Sequence, residues 1–139
     1  MKICFTANNK TLDAKIDPRF GRCQYLVFVD STKEKIIKAI DNTQKDVWHG
    51  AGIATAQKVV NEDAKVVITG NIGPNAFAAL QSAGIKIIAG ISDLTLKQAL
   101  EKFKNNDLEK IQNPSVNGHF GRGYGFGSQG GRRRRSGRK

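Results

Sequence analysis

Residues 51–89 read AGIATAQKVVNEDAKVVITGNIGPNAFAALQSAGIKIIA, and the way the apolar spacing changes along this stretch decides the fold. Ile53, Ala56, Val59 and Val60 recur at helical intervals, which predicts a helix over 51–61 with one buried face. Val66–Thr69 is a compact apolar run of strand length. Gly70-Asn71-Ile72-Gly73 reads as a turn, and Pro74 suits the first position of a second helix, where its missing N–H would have no partner anyway. Ala76, Phe77, Leu80 and Ala83 form the stripe of that helix, Gly84 its stop, and Ile85–Ala89 a second buried strand. Strand, helix, strand in succession requires parallel neighbours joined by a right-handed crossover.

The same reading extends in both directions. Downstream, Ser92 or Asp93 can cap a third helix whose Leu96, Ala99, Leu100 and Phe103 repeat at helical spacing. Upstream, Lys2–Ala7 reads as a first strand, and Asn8–Arg22 as a polar stretch carrying Pro18 and Gly21. Tyr25–Asp30 and Lys35–Asp41 are β-like runs separated only by Ser31-Thr32-Lys33-Glu34, a gap that favours an antiparallel hairpin. Asn42–Gly50 is loop. The order is β-β-β-α-β-α-β-α, an α/β fold with a five-stranded mixed sheet flanked by three helices.

Leu108 and Ile111 can still dock on this unit, which sets a domain over 1–112 and a basic Gly/Arg-rich tail over 113–139. Residues 118–139 hold eight glycines, three aromatics, seven Lys or Arg and no acid, and cannot bury enough apolar surface to order themselves. The formal net charge is +11; removing those seven cations leaves +4, an ordinary value for a soluble domain. No apolar run approaches the roughly 20 residues of a membrane span. Met1-Lys2-Ile3 enters a strand directly, without signal-peptide architecture, and Cys4 and Cys23 form no CxxC pair. Reduced, buried cysteines and a cytoplasmic location are the expectation.

Three clusters can carry chemistry. Pro18-Arg19-Phe20-Gly21-Arg22 places two guanidiniums beside a glycine that lets backbone approach an anion; the alternative is a solvated loop with Phe20 in the core. Trp48-His49-Gly50-Ala51-Gly52 opens the first helix with small residues, so its N–H groups and dipole face outward. His49 there can ligate a metal, donate to an anion, or serve as a loop residue. Gly70–Ala76 joins strand to helix where open α/β sheets collect ligands, or is simply a tight turn of small residues, with Asn71, Gly73 and Asn75 on its path.

Other classes fit poorly. No Gly-Lys-Ser/Thr follows these glycines, and no GxGxxG or GxSxG is present. The first strand has no acid, and Asp13 and Asp17 lie in a loop, so two-metal nuclease chemistry is not expected. The tail, with Gly121-Arg122-Gly123-Tyr124-Gly125-Phe126-Gly127 and Arg132–Arg135, suits weak contact with single-stranded nucleic acid or acidic protein, or is a solubilising extension.

Phe20-Gly21-Arg22, His49-Gly50-Ala51-Gly52, Ile72-Gly73-Pro74-Asn75-Ala76-Phe77 and Gly84-Ile85-Lys86-Ile87, in this order, resemble the dinitrogenase iron–molybdenum cofactor biosynthesis family over roughly residues 1–110. The resemblance implies a ribonuclease H-like sheet without that fold's catalytic carboxylates. It also implies a role, related to nitrogen fixation, as a non-catalytic carrier or scaffold for an anionic iron–sulfur, iron–molybdenum or molybdenum–sulfur cluster. One relative is implied to hold a molybdenum–copper sulfide cluster by electrostatic contacts. Carried onto this chain, Arg19, Arg22 and His49 would contact the cluster, His49 as the candidate metal ligand. Gly50, Gly52, Asn71, Gly73 and Asn75 would line it, and the partners would be cluster donor or acceptor proteins. The alternative is a nucleic-acid-associated protein that binds through its tail.

Overall fold

The computed structural model describes residues 1–42 and 50–108. The expectations placed on Trp48, His49, Ile111 and the tail lie outside these described residues. The elements are β1 (Lys2–Ala7), β2 (Tyr25–Asp30), β3 (Lys35–Asp41), α1 (Ala51–Asn61), β4 (Val66–Ile68), α2 (Pro74–Ser82), β5 (Lys86–Ile88) and α3 (Leu96–Lys104). One sheet runs β3-β2-β1-β4-β5. β1–β2 and β2–β3 are antiparallel, β1–β4 and β4–β5 parallel, so the mixed five-stranded sheet and its three helices are as expected.

Because side chains alternate along a strand, each central strand feeds two cores. Cys4, Leu26, Phe28, Val67 and Ile87 face α1 and α2, packing with Ala56, Val59, Phe77 and Leu80. Ile3, Phe5, Val27, Val29, Ile68 and Ile88 face α3, packing with Leu96, Ala99 and Leu100. β1 lies between β2 and β4 and is almost entirely buried, which accounts for its lack of any polar–apolar alternation.

The structure departs from the sequence reading at several boundaries. Ile53 is 49 % exposed and Val60 only partly buried. The buried side of α1 is Ala51, Thr55, Ala56 and Val59, and Ile53 stands about 130° round the helix from its centre. Ala83 is the exposed C-cap of α2 rather than part of its stripe. Gly84, with φ 79°, then supplies the left-handed residue that ends the helix. β4 and β5 are shorter than their apolar runs: Thr69 follows β4 while its N–H still donates to Ile88 O at 3.0 Å, and Ile85 and Ala89 flank β5.

Neither Ser92 nor Asp93 caps α3. Thr95 does, accepting from Gln98 N at 3.1 Å while the Gln98 side chain accepts from Thr95 N at 2.9 Å, a full capping box. The chain before it is held to the Ala14–Ile16 segment, with Ile16 N donating to Leu94 O and Thr95 bridging to Lys15, so the helix starts later than the first polar residues allow.

Candidate functional site

Past the C-terminal ends of β1 and β4 the chain forms three segments that lean on one another: residues 16–24, the start of α1, and the turn 70–73. Phe20 N donates to Asn71 O at 3.0 Å and Asn71 N to Pro18 O at 2.6 Å, a short parallel bridge between two loops far apart in sequence. Gly70 lies so close to Pro18 that a Cβ there would sit 2.6 Å from Pro18 Cα. Gly21 meets the backbone of Gly52 in the same way, at 2.9 Å from both Gly52 N and Gly52 Cα, and a Cβ on Gly52 would sit 3.2 Å from the Ala76 methyl. Three small residues, one per segment, therefore let the segments touch through backbone. Phe20, 1 % exposed, anchors the first of them in the α1/α2 core.

Two buried polar residues hold the arginine loop at its ends. Asp17 accepts from Arg19 N (3.0 Å) and Arg19 Nε (3.3 Å) on Oδ1 and from Gln24 N (3.1 Å) on Oδ2. Asn42, fully buried, donates through Nδ2 to Gly21 O (3.3 Å) and Cys23 O (3.0 Å), while its Oδ1 accepts from Thr55 Oγ1 (3.3 Å). Thr55 also shares Gly21 O at 3.2 Å. Sequence reasoning passed over Asn42 and Thr55 and read Asp17 only as a loop acid. The one local hint was an aspartate two residues before an arginine, the spacing of an Asx turn.

Between the segments lies a cleft of about 330 Å³ lined by Arg19, Arg22, Gly50, Gly52, Asn71 and Gly73, with Phe20, Gly21 and Ala51 completing the wall. It shares five lining residues with an adjoining space of about 210 Å³ bounded by Ile53, Pro74, Asn75 and Ala76. Of the residues expected to form a site, Arg19, Arg22, Gly50, Gly52, Asn71, Gly73 and Asn75 are thus brought around one opening; His49 lies outside the described residues, next to Gly50.

The two helices that start here are unusual in their caps. α1 begins at Gly50 in the left-handed region (φ 76°) and α2 at Gly73, and neither has a side chain accepting from its first turn. Neither first turn carries an acid. Amide donors and the positive ends of both dipoles are left toward the cleft. α3, on the other face of the sheet, is closed by Thr95.

The cysteines stand apart from this surface. Both are free and buried. Burial, and after it the neighbouring Cys23, pushes the Cys4 thiol well up. Cys23 is pushed up to about 12, chiefly by burial and then by the Asp17 carboxylate, with the Asn42 side chain pulling the other way. Neither offers a thiolate at neutral pH. Among the described residues no group of three or more His, Cys, Asp or Glu is placed to hold a metal ion. What the cleft presents is cationic and donating: it can grip an anion through hydrogen bonds. No helix among the described residues is long and apolar enough to cross a membrane.

The dinitrogenase iron-molybdenum cofactor family matches residues 1–106. The apo form of the orange protein from Desulfovibrio gigas superposes with a TM-score of 0.80 at 38% identity, covering 83% of this chain and 96% of that one. A NifB-like Thermotoga protein of the DUF35 family gives a TM-score of 0.67 at 28% identity, covering 78% and 91%. An uncharacterized protein of Methanocaldococcus jannaschii is 27% identical over 114 residues, 81% of this chain and 92% of its own length.

Proposed function

The chain belongs to the dinitrogenase iron-molybdenum cofactor family, and from that premise we propose that it is a non-catalytic carrier or scaffold for an anionic metal–sulfur cluster or its precursor. The observation that carries this reading is the convergence of Arg19 and Arg22 with two glycine-capped helix starts on one cleft. A cluster that brings its own sulfide ligands needs no thiolate from the protein; it needs charge and N–H donors, which is what these residues supply. Iron–sulfur, iron–molybdenum and molybdenum–sulfide species all meet that requirement, and His49 would add either a donor or one ligand. The donors and partners of such a cargo are cluster-handling proteins. We assign residues 1–112 to the cofactor-binding domain and read the sheet as ribonuclease H-like, supported by its strand order and by β2 running against its neighbours.

The test is anaerobic titration of the full chain with tetrathiomolybdate at two salt concentrations. Each guanidinium making a charge-assisted bond to a bound anion is worth about 1.5–3 kcal/mol, and both are solvent-exposed, so Arg19→Ala and Arg22→Ala should each weaken binding by about tenfold. Binding by both variants as tight as wild type, or no binding by wild type, overturns the proposal.

A further inference from the structure

We propose that Asp17 is the positioning residue that turns Arg19 into an anion-binding fork, a role that rests on the carrier reading above. The Asp17 side chain is 1 % exposed, whereas Arg19 is 62 % exposed. A carboxylate taken that far out of water is unfavourable unless it is fully bonded and paired. Here it is. Oδ1 receives Arg19 N and Nε, and Oδ2 receives Gln24 N.

The backbone of Asp17 is fixed as firmly. Its N–H donates to Thr6 O at 2.8 Å, and its carbonyl accepts from Thr6 Oγ1 at 2.8 Å. Thr6 Oγ1 in turn lies 2.8 Å from Thr69 Oγ1, so the ends of β1 and β4 are tied together beneath the loop. The carboxylate is therefore a rigid post standing on the sheet.

What that post holds is specific. A loop staple needs only the two backbone N–H groups, at Arg19 and Gln24. The third bond goes to Nε, the guanidinium nitrogen nearest the stem. A grip at Nε would restrain the plane of the guanidinium and let its two terminal nitrogens serve the cleft that Arg19 lines. The arginine is oriented before an anion arrives, so less side-chain freedom is lost on binding. A lysine at this position has no equivalent handle.

The experiment has two arms on the full chain. Without ligand, the Arg19 Nε–H signal in ¹H–¹⁵N spectra should be displaced and exchange slowly at neutral pH, and lose both properties in Asp17→Asn. With tetrathiomolybdate as probe, Asp17→Asn should weaken affinity by about tenfold, and Asp17→Asn in an Arg19→Ala background should weaken it no further than Arg19→Ala alone. Effects that multiply in the double variant show Asp17 acting on the loop at large and overturn the proposal, as does wild-type affinity in Asp17→Asn. If Asp17→Asn does not fold, Arg19→Lys decides: a loss equal to that of Arg19→Ala supports the oriented fork, and wild-type affinity refutes it. Should the wild type bind no tetrathiomolybdate, the carrier reading fails, while the Nε–H signal still decides whether Asp17 holds Arg19.

Discussion

Gly21→Ala tests whether backbone contact between the arginine loop and α1 builds the cleft. A Cβ at residue 21 would stand 2.9 Å from both Gly52 N and Gly52 Cα, where ordinary contact begins at 3.4 Å. The two segments must therefore part by about 0.5 Å, and both atoms met are backbone, which cannot swing aside. Gly21 is not among the glycines with positive φ, so the penalty is contact and not backbone strain. Overpacking of this kind destabilises by about 1–3 kcal/mol, which for a domain of this size lowers the melting temperature by on the order of 5–20 °C.

Gly52→Ala is the internal comparison. Its Cβ would lie 3.2 Å from the Ala76 methyl alone, and alanine in a helix gains about 0.5–1 kcal/mol over glycine, so the net change should be close to zero. Urea unfolding of the three proteins at one pH measures both. A Gly21→Ala protein within about 0.5 kcal/mol of wild type, or Gly52→Ala as the more damaging change, refutes the reasoning.

Two further outcomes follow from the chemistry of Cys23 and of the tail. The Cys23 thiol is pushed up to about 12 against an ordinary 9, so the unfolded chain releases that proton first; this group's contribution to stability is fully present below about pH 9 and is lost as pH climbs from about 9 toward 12. Urea midpoints at pH 8 and pH 11 should show that fall in wild type and a shallower one in Cys23→Ala, and equal slopes refute it. Residues 118–139 carry seven cations and no acid, so RNA affinity of the full chain should drop steeply with salt and vanish on truncation after Asn117; undiminished binding by the truncated chain refutes a role for the tail.

Most element positions were legible because each core residue obeys one local period. β1, β2, β3 and α1 begin and end where the apolar pattern does. Errors arose where a local pattern has two solutions. Ile53 fits the spacing of the α1 stripe, but the face of α1 that packs is chosen by its small residues, Ala51, Ala56 and the Gly52 that meets Gly21. Ser92 and Asp93 are good caps in principle, yet pairing with residues 14–16 delays the helix to Thr95. The gathering of Arg19, Gly52 and Asn71 was legible from topology, since all three follow strand ends or open helices on one side. The groups that hold them were not, because Asn42 reaches Gly21 across 21 residues and Thr55 reaches it across 34.

If the carrier reading proposed above holds, the glycines that start α1 and α2 would make the domain's durability depend on its cargo. A serine at residue 73, where φ is −81° and no atom lies within 4 Å of a would-be Cβ, could seal that helix as Thr95 seals α3. With glycine there, an anion bound as proposed would do the sealing, and mass action would then add to folding stability as ligand concentration exceeds the dissociation constant. Empty molecules would then open more often and meet proteases sooner than loaded ones. Turnover in the cell would then follow the supply of cluster, without any separate regulator.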